Sequence, residues 1–168
     1  MVESGTVGVV VVGVQPGQVH DVVGVAAAVA DRFGAALVCV VVDPALLSAG
    51  MRADGSEIIE QIDPDTADSD PRQLPDDDVG LIRELAGARF VDAEIVSRVG
   101  DPGRALAAVA EERDAVMIVV GSQTGRRRIA ELLDGSVAAH LTHHQHRPVL
   151  VVPHEPVGLT VLRPSDAP

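Results

Sequence analysis

Apolar positions along this chain follow two rhythms. Val7 to Val14 (VGVVVVGV) and Ala36 to Val42 are unbroken apolar runs, as are Ala115 to Val120 and Pro148 to Val152. Runs of this length and β-branched content predict parallel strands buried on both faces. Val91 to Arg98 alternates instead and predicts a further strand. Between these segments the spacing changes to three and four. Val22, Val25, Ala26, Val29 and Phe33 share one face of a predicted helix over Val22 to Phe33, with Asp21 as cap and Gly34 as stop. Helical spacing returns in Val79 to Phe90 through Leu81, Ile82 and Leu85. Asp101 and Pro102 then supply an N-cap and a first-turn proline for an amphipathic helix over Arg104 to Glu112. Ser136 is a candidate cap for a last helix reaching Gln145.

Strands alternating with helices predict an α/β fold, a doubly wound, mostly parallel sheet of five strands with helices on both faces. Right-handed crossovers place any ligand site at the carboxyl ends of the strands, where the strand order reverses. Met51 to Asp78 gathers Asp, Pro, Ser and Gly with few apolar residues and reads as a long acidic loop. No internal repeat is present. One domain over 1–155 accounts for the pattern, followed by a tail, 156–168, that is either flexible or adds an edge strand at Leu159 to Leu162.

Composition narrows the partners. The chain of 168 residues is 46% hydrophobic but only 1% aromatic, so its core must be made of Val, Ala, Leu and Ile. Its net charge is -12 and every cationic side chain is Arg. That charge repels nucleic acid and anionic membrane surfaces. The lone Cys39 lies inside an apolar run and reads as a buried, reduced thiol. The first apolar run is too short to cross a bilayer and follows no basic leader, so a cytoplasmic protein is expected.

The chemistry concentrates in GSQTGRRRIAELLDGSV, Gly121 to Val137. Glycines after a strand admit close backbone approach to a phosphate, and a helix opening at Ser136 would offer free N–H groups and a favourable dipole. Glycines after a strand also serve simply as turns. The segment resembles the universal stress protein signature, a Gly-x2-Gly-x9-Gly-Ser/Thr stretch after the fourth strand. The resemblance runs from Val7 to Pro153 and includes VVGV at Val11 to Val14, VVVDP at Val40 to Pro44, VGDPGRAL at Val99 to Leu106 and HRPVLVVP at His146 to Pro153. It implies sheet order 3-2-1-4-5, a homodimer through the fifth strand, and, in many members, ATP binding with Mg²⁺. It would place adenine against Val14 and Val41, the ribose near Gln15, and the backbone of Val120 and Gly121 along the nucleotide. Gly125, Gly135, Ser136 and Val137 would hold the phosphates. From the residues alone, Arg126, Arg127 and Arg128 offer forked donors to a phosphate, or form a solvated loop that balances an acidic protein. Three positions depart from the pattern: three residues separate Gly121 from Gly125 where the signature has two, Gln15 replaces an acidic residue, and Asp134 stands beside Gly135.

His140, His143, His144 and His146 include an i, i+4 pair of the kind metal sites use. Imidazoles also suit a helix C-terminus, and no Cys or carboxylate cluster accompanies them, so no metal ligand is assigned. Two functions remain open, a stress-response regulator that binds an adenine nucleotide and a nucleotide-free dimeric module that binds an unidentified protein partner. An enzyme is not expected, because the first loop lacks a phosphate-binding Ser-Gly-Gly motif and no nucleophile, base and orienting group can be assembled.

Overall fold

The computed structural model describes residues 8–61, 73–122 and 137–153, apart from the side chains at 57 and 61. Its elements in chain order are β1 (Val9–Val14), α1 (Val19–Phe33), β2 (Ala36–Asp43), β3 (Leu46–Met51), β4 (Glu57–Gln61), α2 (Asp76–Gly87), β5 (Ala93–Val99), α3 (Pro102–Glu112), β6 (Ala115–Ser122), α4 (Val137–His144) and β7 (Val149–Pro153). Five of the strands form one parallel sheet in the order β5-β2-β1-β6-β7, while β3 and β4 make a separate antiparallel pair. Counting only the parallel strands, this is the order 3-2-1-4-5 that the resemblance implies.

The valine run of β1 lies at the centre of the sheet, paired with β2 on one side and β6 on the other. Val10 and Val12 face α1 and α2, whereas Val11 faces α3 and α4, and all three are fully buried. Successive strand residues point to opposite faces, so a strand covered twice must be apolar at every position. Each such valine contributes roughly 1.5–3 kcal/mol relative to exposure. One side is filled by Ala26, Ala27, Ala30 and Ile82, the other by Leu106, Val109 and Leu141. Small alanines on α1 let that helix lie close to the valine sheet.

Several sequence expectations shift in detail. α1 begins at Val19, with Gln18 in the cap position and no side-chain cap bond, so Asp21 lies in the first turn rather than capping it. Its buried stripe is Val19, Val22, Val23, Ala26, Ala27 and Ala30, while Val25 and Phe33 are exposed. Packing against the sheet selects the face that carries the alanines. α2 starts three residues before Val79, because Asp76, Asp77 and Asp78 favour the positive end of the helix dipole. In α3 the Asp101 carboxylate accepts from the Arg104 N–H at 2.8 Å and Pro102 occupies the first turn, as the sequence predicts.

The acidic segment is not wholly a loop. Its first part pairs as the hairpin β3–β4, closed by Arg52 N–H to the Ser56 carbonyl at 2.7 Å. Asp54 accepts from both the Ser56 N–H and hydroxyl, at 2.9 and 2.6 Å, and Gly55 takes φ +84°. An Asp-Gly turn is itself a hairpin signal, outweighed in the sequence by the sparse apolar residues around it. Residues 62–72 and the tail 156–168 lie outside the described part.

At the amino end of the sheet, Arg147 holds β6, β7 and α3 together. Its side chain is 9% exposed. It donates to the Ala115 carbonyl at 2.8 Å, to Glu111 at 2.5 Å and to Asp114 at 3.3 Å. Gln145 closes the end of α4 beside it, donating to the carbonyls of Leu141 and Arg147 and accepting from the Arg147 N–H.

Candidate functional site at the carboxyl ends of β1, β2 and β6

β1 ends in the sequence Gln15-Pro16-Gly17-Gln18, where the Gln18 N–H reaches the Gln15 carbonyl at 3.2 Å and Gly17 takes φ +83°. Proline followed by a glycine of positive φ is the chemistry of a type II turn. The turn drops the start of α1 against the end of β6. There Gly121 has no room for a side chain, since a Cβ would lie 2.6 Å from Gln18 Oε1 and 2.8 Å from Val22 Cγ2. Gly121 therefore serves internal packing as well as any ligand. Gln18 was not foreseen as a site residue; the Gln-Pro-Gly-Gln spacing is the signal that could have found it.

Val14 and Val41 are direct register partners, both buried, at the ends of β1 and β2. Val120 is buried on β6, and Gly121 and Ser122 beyond it are half-buried. Gln15 is exposed at the mouth of the turn. Val137 opens α4 and packs against the cluster that contains Leu106 and Leu141. The structure thus brings Val14, Gln15, Val41, Val120 and Gly121 to one end of the sheet, where β1 is flanked by strands reached through opposite crossovers. Such a switch point is where open α/β sheets bind their ligands. Gly125, Arg127, Gly135 and Ser136 lie outside the described residues.

The same end carries Asp43, the one buried charged side chain among the described residues. Its carboxylate accepts from the Ala45 N–H at 3.0 Å, and its own carbonyl accepts from the Gly100 N–H at 2.9 Å. It ties β2 to both the hairpin and the start of α3. Gly103 in the first turn of α3 is another close approach, because a Cβ there would lie 2.7 Å from the His140 ring.

His140 in turn stacks on His144, with ring centroids 4.2 Å apart and planes 12° from parallel. His144 Nδ1 lies 2.9 Å from the His140 carbonyl. Imidazole lone pairs lie in the ring plane, so two nearly parallel rings do not aim them at one ion. No group of three or more His, Cys, Asp or Glu among the described residues is placed to hold a metal. Burial pushes the Cys39 thiol up to about 12, so it stays protonated and inert.

Compared with known proteins, residues 7–153 match the model of the universal stress protein family. The chain belongs to that family. Two universal stress proteins of Synechocystis are similar to it, at 39% identity over 57 residues and 35% over 71, which are 34% and 42% of this chain. Those matches span only 36% and 65% of the relatives' own lengths. Among solved structures, a universal stress protein in complex with cAMP is 25% identical with a TM-score of 0.59, covering 88% of this chain and 97% of that one. The universal stress protein from Archaeoglobus fulgidus in complex with dAMP matches the fold at 20% identity and a TM-score of 0.55, over 88% of this chain and 99% of that one. Among the described residues, no helix of this family member is long and apolar enough to cross a membrane.

Proposed function

We propose that this universal stress protein is a regulatory protein that binds an adenine nucleotide, ATP with Mg²⁺ or a monophosphate, at the carboxyl ends of β1, β2 and β6. The observation that carries this reading is the registered pair Val14 and Val41 beside the side-chain-free backbone of Gly121 at the switch point. The two buried valines make the ends of β1 and β2 apolar, where a purine would lie over the strand ends, and a glycine backbone lets the sugar and phosphate lie close. The related complex with cAMP supports adenine as the base. Gln15 stands at the mouth of this end, where a ribose hydroxyl would meet a carboxamide able to donate and accept. Gly125, Arg127, Gly135, Ser136 and Val137 are the phosphate-holding residues of this reading, and the Mg²⁺ charge would offset Asp134. The role is binding rather than turnover.

Titration calorimetry with MgATP, AMP and cAMP tests it. Saturable heat that Gly135→Val abolishes is the expected result, and absence of heat at millimolar concentrations of all three overturns it. A phosphate-release assay above the buffer rate would move the protein into the enzymes.

A second reading, a nucleotide-free dimeric module, is favoured by the edge strand β7. That strand (VLVVP) carries no charge, and its Val151 is 43% exposed. The opposite edge, β5, has Glu94 paired with Arg113 at 2.8 Å and Arg98 paired with Glu112 at 3.0 Å. Charged edges discourage strand addition and uncharged ones invite it. A homodimer through β7 is compatible with either reading. Light scattering on Val151→Lys tests it, and a dimer that survives the substitution counts against that edge.

A further inference from the structure

α1 and α2 end side by side at the amino end of the sheet, in the same backbone motif. In α1 the N–H of Gly34 reaches the Asp31 carbonyl and that of Ala35 the Ala30 carbonyl, at 3.1 and 2.8 Å. In α2 the N–H of Phe90 reaches the Gly87 carbonyl and that of Val91 the Ala86 carbonyl, at 3.1 and 3.0 Å. Both are Schellman endings, which need one residue of left-handed conformation. α1 uses Gly34, at φ +59°, and α2 uses Phe90, at φ +56°. A non-glycine residue is strained there, and the cost is not recovered by packing, because Phe90 is 99% exposed. Fold stability asks for glycine at this position, as the neighbouring helix shows. No packing among the described residues accounts for the ring.

The surroundings point to a partner for it. Between the two endings lies an open cavity of about 210 Å³, lined by Ala30, Gly34 and Ala35 from one side and Arg89, Phe90 and Val91 from the other. Phe33, 61% exposed, closes α1 beside it, so the chain's two aromatic residues both stand at this end and neither is buried. Ala35 also adjoins Gly8 and, through it, the half-exposed Val116. In a chain of net charge -12, the stretches 30–36 and 86–92 carry two acids, Asp31 and Asp92, and two bases, Arg32 and Arg89, and so are neutral. Asp31 and Arg89 already pair across the two endings at 3.8 Å, so this patch brings no net charge against the same patch of a second copy, and the repulsion expected over most of an acidic surface is absent here.

We propose that this amino-end surface, centred on Phe90 and Phe33, is a self-association site that takes a second copy of the chain. The exposed faces of the two rings amount to roughly a third of the ~800 Å² per partner that a stable interface buries, so the contact is a weak one that forms at high local concentration. It lies at the opposite end of the strands from the nucleotide surface and does not involve β7. A dimer through β7 and contacts through Phe90 would together link copies into larger assemblies.

The test is sedimentation velocity on the full chain from about 1 µM to about 1 mM, spanning the range of weak contacts. It is run in the Val151→Lys background, so that any β7 pairing is separated. Concentration-dependent association is expected there. Phe90→Gly should weaken it at least tenfold while melting at the same temperature or up to about 3 °C higher, because glycine relieves the left-handed strain. Phe33→Ser should weaken it as well, and the rise in melting temperature separates lost contact from lost folding. A Val151→Lys chain that stays monomeric throughout overturns the proposal. So does association that Phe90→Gly leaves unchanged.

Discussion

At the amino end of the sheet the gap between β6, β7 and α3 is filled by a side chain, Arg147, bonded to the Ala115 carbonyl, Glu111 and Asp114. At the carboxyl end they are closed by the removal of side chains, Gly121 beneath Gln18 and Val22 and Gly103 beneath the His140 ring. The two solutions have different consequences. A long, half-buried arginine supplies bonds to carbonyls and carboxylates that would otherwise face one another, and it fixes the strand ends. A glycine brings backbone to the surface of the fold and leaves N–H and C=O groups near whatever binds there. The corner held by Arg147 therefore carries charge pairs, and the end built by close approach is the one suited to a ligand.

This contrast can be broken at either end. The largest effect is expected from Gly121→Val, whose branched side chain would meet Val22 in the buried face of α1. Overpacking of this kind costs about 3 kcal/mol, measurable as a drop in the urea midpoint, and the same variant should bind no nucleotide. Next comes Arg147→Ala, which leaves the Ala115 carbonyl without its donor; about 2 kcal/mol is expected in the same denaturation assay, with nucleotide heat unchanged. Gly103→Ala should cost about 1 kcal/mol through its clash with the His140 ring. Combining it with His140→Ala should restore part of the loss, and strictly additive single effects would show that the two residues do not meet.

Two smaller effects follow from ionisation. The hydrogen bond from Arg147, and then its charge, hold the Glu111 carboxyl below its ordinary value. A depressed carboxyl contributes stability above its ordinary value of 4.5, and that contribution is lost as pH falls through the lower native value. Acid denaturation of Arg147→Ala should therefore be shallower below pH ~4.5 than that of the parent chain. The Cys39 thiol has the opposite sign, since its native value of about 12 stands above the ordinary 9.0, and its contribution is full below pH 9 and fades as pH rises towards 12. At pH ~8 it should be inert to a disulfide reagent in the native chain and react only with unfolding. Rapid labelling of folded protein would show an open core.

Much of the fold could be read directly. The valine runs marked β1, β2 and β6 because a doubly covered strand has no position that can be polar, and Asp101-Pro102 marked the start of α3 because its cap bond is local. The face of α1 was misjudged, for Val25 and Phe33 fit a helical stripe as well as Val23, Ala27 and Ala30 do, and only contact with the sheet distinguishes them. The hairpin β3–β4 was hidden by its acidic composition, although Asp54-Gly55 signalled it. In the site, Val14, Val41, Val120 and Gly121 were named from the resemblance and do converge. Gln18 was missed because its importance lies in a contact with a residue 103 positions later.

The sequence by itself determined the family, the order of the parallel strands and their helices and the buried thiol, because each depends on local pattern or on motif. Tertiary structure decided which glycines are obligatory for packing, which face of α1 is buried, which sheet edge is charged, and that Phe90 holds a glycine's conformation with its ring in solvent. Those are properties of pairs of elements distant in the chain, and a one-dimensional pattern carries no distance between them.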